Sequence, residues 1–273
     1  MRIDPRPVES AEDPRASPYA QLTDMELRLR VEHATGVFIA EGMLVIERCV
    51  AAGLEVVSVL TARRWLDRLD EILHDEDIDV YVADADILRS ITGFHVHRGA
   101  LAVVRRPASR TVDELLVAPG DILVLEGLVD STNVGLAFRS AVAQGIDGVV
   151  LSPDCADPLY RRAVKSSMGA VVRCRWARSS DWPTTMTALI HSRAVVALGP
   201  DGDEDLATVL ADYATRDIAL VLGSEGPGIT ESTWTTSHRR ARIPMACPGD
   251  SLNVAAAAAV ACYARLHMRT MGP

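Results

Sequence analysis

Nowhere among its 273 residues does the chain hold the roughly 18 uninterrupted apolar residues that a bilayer-crossing helix needs. The nearest stretch, 252–264, is short, rich in alanine and followed by Arg265, His267 and Arg269, so it reads as a packed helix. The first twenty residues lack the apolar core of a secretory leader, and a cytoplasmic chain off the membrane is expected. Cysteine is sparse and scattered, at 49, 155, 174, 247 and 262, without a CxxC pair. That pattern excludes a disulfide framework and a zinc site and fits a reducing compartment. His95 and His97 share a face of an expected strand but have no third ligand, so no metal site is expected.

Positive charge is also short. Lys165 is the only lysine, and 28 basic against 37 acidic residues leave a net charge of −9, with both sides of residue 112 acidic. A nucleic-acid binder normally shows a basic footprint, because neutralised phosphates release counterions. Any phosphate-binding surface here must be a local arginine patch, where guanidinium forks reach two oxygens at once. Two common phosphate cradles are missing as well. Glu126-Gly127-Leu128-Val129-Asp130 has one glycine where a dinucleotide fingerprint has three, and no P-loop occurs.

What is present is a regular alternation. Residues 1–20, polar and proline-containing, are expected to form a flexible tail. A first α/β domain is expected over 21–108, with helices at 24–33, 43–50 and 63–73 and strands at 56–60 and 80–83. Arg105–Arg110 reads as a linker. A second domain is expected over 113–273. Its strands fall at 122–125, 148–151, 171–175, 194–198, 218–222 and 242–245. Helices follow at 134–143, 158–167, 184–191 and 205–213, and a last one over 252–268 is capped by Ser251. Short apolar strands separated by helices make a parallel sheet covered on both faces, with its ligand at the C-terminal strand ends.

Three segments at such strand ends carry chemistry. Asp130–Ala141 follows a strand and opens a helix; Asn133 sits at the turn and Arg139 about 120° further round the helix. Gly223-Ser224-Glu225-Gly226-Pro227-Gly228-Ile229 is a tight loop in which backbone can approach a ligand. Arg242–Val254 crowds Ser251 and Asn253 into a helix N-terminus, ahead of five alanines at 255–259. Taken singly, a cap, a turn and a surface arginine would explain each of them.

Together, NVGLAFRSA (133–141), LGSEGPGI (222–229) and IPM…DSLNVAAAAAV (243–260) resemble the three motifs of the SpoU/TrmH branch of the SPOUT methyltransferases, over roughly 113–273. KSSMGA (165–170) is similar to a weaker fourth segment. The resemblance implies a C-terminal α/β-knot (deep trefoil) domain, usually within a homodimer formed through that domain. It implies an enzyme that moves a methyl group from S-adenosylmethionine (SAM) to a ribose 2′-hydroxyl of RNA. Asn133, Arg139, Glu225, Ser251 and Asn253 are then the catalytic candidates. Leu198, Gly199, Gly223, Gly226, Ile243, Met245 and Leu252 are the cofactor-binding ones. No metal is called for, since the donor already carries a positive charge.

FIAEGMLVIERCVAAGLEVVSVL (38–60) and HVHRGALAVV (95–104) are similar to a ribosomal-protein-like substrate-binding domain of rRNA-modifying members, which puts rRNA ahead of tRNA as substrate. Two departures stand out: Arg98 where that domain commonly has Gln, and Cys247-Pro248-Gly249 where many relatives have glycine two residues after the motif methionine. The readings left open are a tRNA enzyme, a non-catalytic RNA-binding or ribosome-assembly protein on the same fold, and an ordinary nucleotide-dependent α/β enzyme.

Overall fold

The computed structural model describes residues 3–73, 78–96, 99–224, 226–247 and 250–271. The chain runs β1 (Pro5–Pro7), α1 (Met25–Thr35), β2 (Val37–Glu41), α2 (Met43–Ala51), β3 (Val56–Thr61), α3 (Leu66–Ile72), β4 (Asp79–Val82), α4 (Ala85–Thr92) and β5 (Ala100–Arg105). It continues α5 (Val112–Leu116), β6 (Ile122–Glu126), α6 (Ser131–Ala143), β7 (Gly148–Leu151), α7 (Arg161–Ser166), β8 (Trp176–Arg178), α8 (Trp182–Ser192) and β9 (Ala194–Leu198). Then follow β10 (Glu204–Asp205), α9 (Leu206–Asp212), β11 (Ile218–Gly223), α10 (Glu231–Thr236), β12 (Arg239–Arg242) and α11 (Val254–Met271). Two compact units emerge, 1–108 with 159–172, and 109–158 with 173–273.

The first unit holds a five-stranded mixed sheet, β1-β4-β3-β5-β2. Its first residues are not the expected tail. β1 pairs in parallel with β4, and Tyr19 is fully buried with its hydroxyl 2.7 Å from Ser58 Oγ. Val8, Ala16, Tyr19 and Leu22 join the apolar cluster formed by Ile39, Leu60, Leu101 and Val103. Scattered apolar residues between polar ones give no periodic signal, yet each finds a place in the core. Residues 159–172, expected in the second domain, cluster with the first instead. There Arg161 and Lys165 both pair with Glu41, and the Arg161 guanidinium lies 4.6 Å over the Phe94 ring.

The second unit is a seven-stranded parallel sheet, β10-β12-β9-β11-β6-β7-β8. β6, β9 and β11 are its most apolar strands and lie centrally, buried along nearly their whole length. Leu115 of α5 and Met186 and Leu189 of α8 pack with Ile122, Val124, Ala219 and Val221. α11 packs against α6 and α9.

Two expected strands shift. Residues 170–172 form a 3-10 turn behind Met168 and Gly169, which both adopt positive φ, and the strand begins only at Trp176. The last strand is Arg239–Arg242, because Pro244 has no N–H for a ladder at 242–245. Its arginines hid it from a search for apolar runs. They are matched by acids: Arg239 with Glu204 and Asp212, Arg240 with Asp203, and Arg242 with Asp205.

Four cysteines are buried and Cys247 is exposed. Burial pushes the thiols of Cys49, Cys174 and Cys262 up to about 12 and raises that of Cys155. Since the thiolate is the reactive form, the native chain at pH 8 should show one fast thiol towards Ellman's reagent. The other four should appear only on denaturation. Fast reaction of two or more thiols would contradict this packing.

Candidate active site

The candidate residues emerge at the C-terminal edge of the parallel sheet, where ligands of such sheets bind. Leu198 ends β9 and lies opposite Leu222 of β11 and Ala241 of β12; Gly223, the last residue of β11, lies opposite Glu126 of β6. The loops beginning at Gly199, Gly223 and Ile243 therefore leave three neighbouring strands at one edge. Gly199 N–H donates to the Ala241 carbonyl at 3.0 Å, tying the first to the third.

These loops are tight. A Cβ on Gly223 would fall 2.2 Å from the Gly228 carbonyl carbon, so only glycine permits residues 223 and 228 to approach this closely. A Cβ on Gly199 would stand 3.0 Å from the Trp234 ring. Gly226 is exposed, as is Leu252, while Ile243 and Met245 are half-buried. Glu225, Pro248 and Gly249 lie outside the described residues, as do His97 and Arg98.

Asn133 and Asn253, 120 positions apart in sequence, are brought into contact: Asn253 Nδ2 donates to Asn133 Oδ1 at 3.3 Å. Asn253 also accepts from Ala255 N–H at 2.9 Å, so it caps α11 in place of the expected Ser251, which is exposed. Asp130 caps α6 by accepting from Thr132 N–H at 2.6 Å, which leaves the Asn133 amide for other partners. Nearly two turns further along α6, Arg139 lines an open groove of about 470 Å³ together with Leu136, Ser140, Asn253, Ala256 and Ala259. Arg139 is exposed and carries no ion pair among the described residues, so its guanidinium is available to an anion. The alanines of α11 keep this groove open by being small.

Residues that the sequence reading passed over sit at the same edge. A Cβ on Gly127 would lie 3.5 Å from an Asp154 carboxylate oxygen and 3.8 Å from Ser224 Oγ. The 152–156 loop that holds Asp154 is pinned by Arg178, which donates to the carbonyls of Ser152, Pro153, Cys155 and Ala156. Glu126 is buried at the end of β6, and its Oε2 has no hydrogen-bond partner among the described residues. An acidic residue ending an otherwise apolar strand was the available signal. For a cationic methyl donor the edge is chemically suited. Its loops offer backbone amides and carbonyls, and its buried charge is a carboxylate with an unused oxygen.

Residues 121–263 match the SpoU rRNA methylase family. Over 265 residues the chain is 37% identical to an uncharacterised tRNA/rRNA methyltransferase of Mycobacterium bovis, covering 96% of this chain and 92% of that one. It is 30% identical to the 23S rRNA (guanosine-2′-O-)-methyltransferase RlmB of Ralstonia nicotianae, over 70% of this chain and 78% of the relative. The AdoMet-bound rRNA methyltransferase of Sinorhizobium meliloti shares its fold, with a TM-score of 0.82 over 96% of this chain and 98% of its own at 22% identity. The chain therefore belongs to the SpoU rRNA methylase family. It is a methyltransferase.

Proposed function

We propose that the chain methylates a ribose 2′-hydroxyl of RNA, with ribosomal RNA as the substrate class, acting in the cytoplasm as a homodimer built on its knotted C-terminal domain. The observation that carries this reading is the meeting of two distant motifs: Asn133 bonded to Asn253, with Arg139 on the same groove. The ribose chemistry is supported by the identity shared with the 23S rRNA guanosine-2′-O-methyltransferase, and a first unit with its own sheet gives a separate surface for RNA. A dimer is supported by the large apolar side chains that α11 and its approach leave exposed: Leu252 at 39%, Val260 at 41% and Tyr263 at 60%.

SAM supplies an electrophilic methyl group on a sulfonium sulfur. The chain's share is to bind and orient. A ribose hydroxyl is a weak nucleophile, so in-line placement and electrostatic help contribute most of the acceleration. Arg139 holds the phosphate beside the target and stabilises negative charge growing on the 2′-oxygen. A guanidinium keeps its proton up to pH values above about 12, so Arg139 serves as a clamp and the proton leaves to water. The linked amides of Asn133 and Asn253 orient the hydroxyl. Ser251 shapes the floor of the site, and Glu225 aligns Arg139 or polar groups of the RNA. Leu198, Gly199, Gly223, Gly226, Ile243, Met245 and Leu252 form the cofactor cleft, mainly through backbone.

Mapping 2′-O-methyl positions by mass spectrometry across total RNA, from cells with and without the protein, is the test. One ribosomal ribose should lose its methyl group in the deletion and regain it on complementation. An unchanged ribosomal map would overturn the substrate, and a lost methyl in tRNA would replace it.

A further inference from the structure

The side chain of Glu126 continues a row that packs inward. Ile122 and Val124, four and two residues earlier, lie in the apolar cluster against α5 and α8, so strand alternation carries Glu126 onto the same covered face. At 4% exposure it is a carboxylate in a place built for hydrocarbon. Its Oε1 accepts from Trp182 Nε1 at 2.9 Å, from Thr230 Oγ1 at 2.7 Å and from Thr233 Oγ1 at 3.1 Å. All three donors are neutral, and Oε2 is unpartnered among the described residues. Burying a half-satisfied carboxylate is costly. For packing alone, an apolar residue of similar volume would serve β6 better.

What the three donors have in common is their position. Trp182 opens α8, Thr230 caps α10 and Thr233 lies in its first turn. α10 directly continues the 223–229 loop, and Glu126 stands opposite Gly223 in the ladder. The next residue of α10, Trp234, lies against Gly199 at the end of β9. One short helix thus touches the ends of β6 and β9 and terminates the loop from β11.

We propose that Glu126 is a positioning residue for methyl transfer: it latches α10 to β6 and thereby fixes the 223–229 loop against the strand ends that form the cofactor cleft. This rests on the cofactor placement proposed above. The latch acts on SAM binding rather than on the chemical step, because a bound cofactor would itself hold the loop in place once the site is saturated.

The experiment compares wild type with Glu126→Ala, Glu126→Gln, Thr233→Val and Thr233→Ser. It reads SAM Kd by calorimetry, and KM for SAM and kcat on RNA. Glu126→Ala and Thr233→Val should each raise Kd and KM for SAM about tenfold, the equivalent of one or two lost hydrogen bonds. kcat at saturating SAM should stay within about threefold. Glu126→Gln and Thr233→Ser, which keep the acceptor and the hydroxyl, should stay close to wild type. Folded Thr233→Val with an unchanged SAM Kd overturns the latch, as does a fall in kcat at constant Kd. Thr233→Val swaps a hydroxyl for a methyl group of equal size, so it decides the matter even where Glu126→Ala does not fold. Wild type that binds SAM with no dependence on these residues refutes the latch alone; wild type with no SAM binding refutes the cofactor placement itself.

Discussion

Replacing Arg139 by alanine should lower kcat for RNA methylation by about 10²–10³-fold, the usual cost of removing one donor from a developing oxyanion. SAM affinity should stay within about twofold, because Arg139 stands on α6 and the loops proposed to hold the cofactor leave β9, β11 and β12. The exposed guanidinium has no ion pair among the described residues, so its loss breaks none there. Lysine at this position should recover part of the rate, since it restores charge without the planar fork. Asn133→Ala should cost less, about tenfold to a hundredfold. Its effect should be non-additive with Asn253→Ala, because each amide orients the other at 3.3 Å. Single-turnover assays at saturating SAM, with SAM binding measured alongside, separate these outcomes. An Arg139→Ala protein with wild-type kcat would remove the residue from the mechanism.

The largest effect on stability should come from Arg265. This arginine is 1% exposed within α11, and it donates to both carboxylate oxygens of Asp121, at 2.8 and 3.0 Å. It also donates to the carbonyls of Tyr213 at 2.8 Å and Arg216 at 2.6 Å. A single side chain therefore ties the C-terminal helix to the first residue before β6 and to the turn before β11. Arg265→Ala would leave Asp121 buried with weaker partners, and breaking such a pair costs about 3–5 kcal/mol. Asp121 keeps Ile218 N–H at 3.0 Å and the more exposed Arg269 at 3.1 Å, so the loss should fall at the lower end, near 3 kcal/mol. By calorimetry the transition of this unit should drop by on the order of 10 °C. Removing both charges in Asp121→Leu/Arg265→Met should recover much of that loss, because an apolar pair carries no desolvation cost. A shift of only a degree or two in Arg265→Ala would show that the pair contributes nothing net.

Much of the catalytic unit was legible in the sequence. β6, β9 and β11 announce themselves as unbroken apolar runs because both faces of a central parallel strand are covered. The three motifs at strand ends fixed the methyltransferase reading without any coordinates. β12 was misplaced by three residues, since its arginines satisfy themselves with acids that lie as far as 37 positions away, as Arg240 does with Asp203 and Arg242 with Asp205. Pattern reading has no access to such partners. For the same reason residues 1–20 read as a tail: Tyr19 and Val8 are isolated in sequence and meet their neighbours only in the folded core.

For the site, the sequence by itself determined which residue types stand at which strand ends and, through their resemblance to the family motifs, the class of chemistry. Asn133, Arg139, Gly223 and Asn253 were all named from local pattern. Tertiary structure alone decided which of them meet. Asn133 and Asn253 come together because α6 and α11 pack face to face, a contact between segments 120 residues apart that no local spacing encodes. The cap of α11 moved from Ser251 to Asn253 by the same geometry. Glu126 acquired a role only when strand alternation, the Gly223 register and three donors from two helices converged on one carboxylate. Local propensity sets elements and turns; long-range packing sets distances, and a site is made of distances.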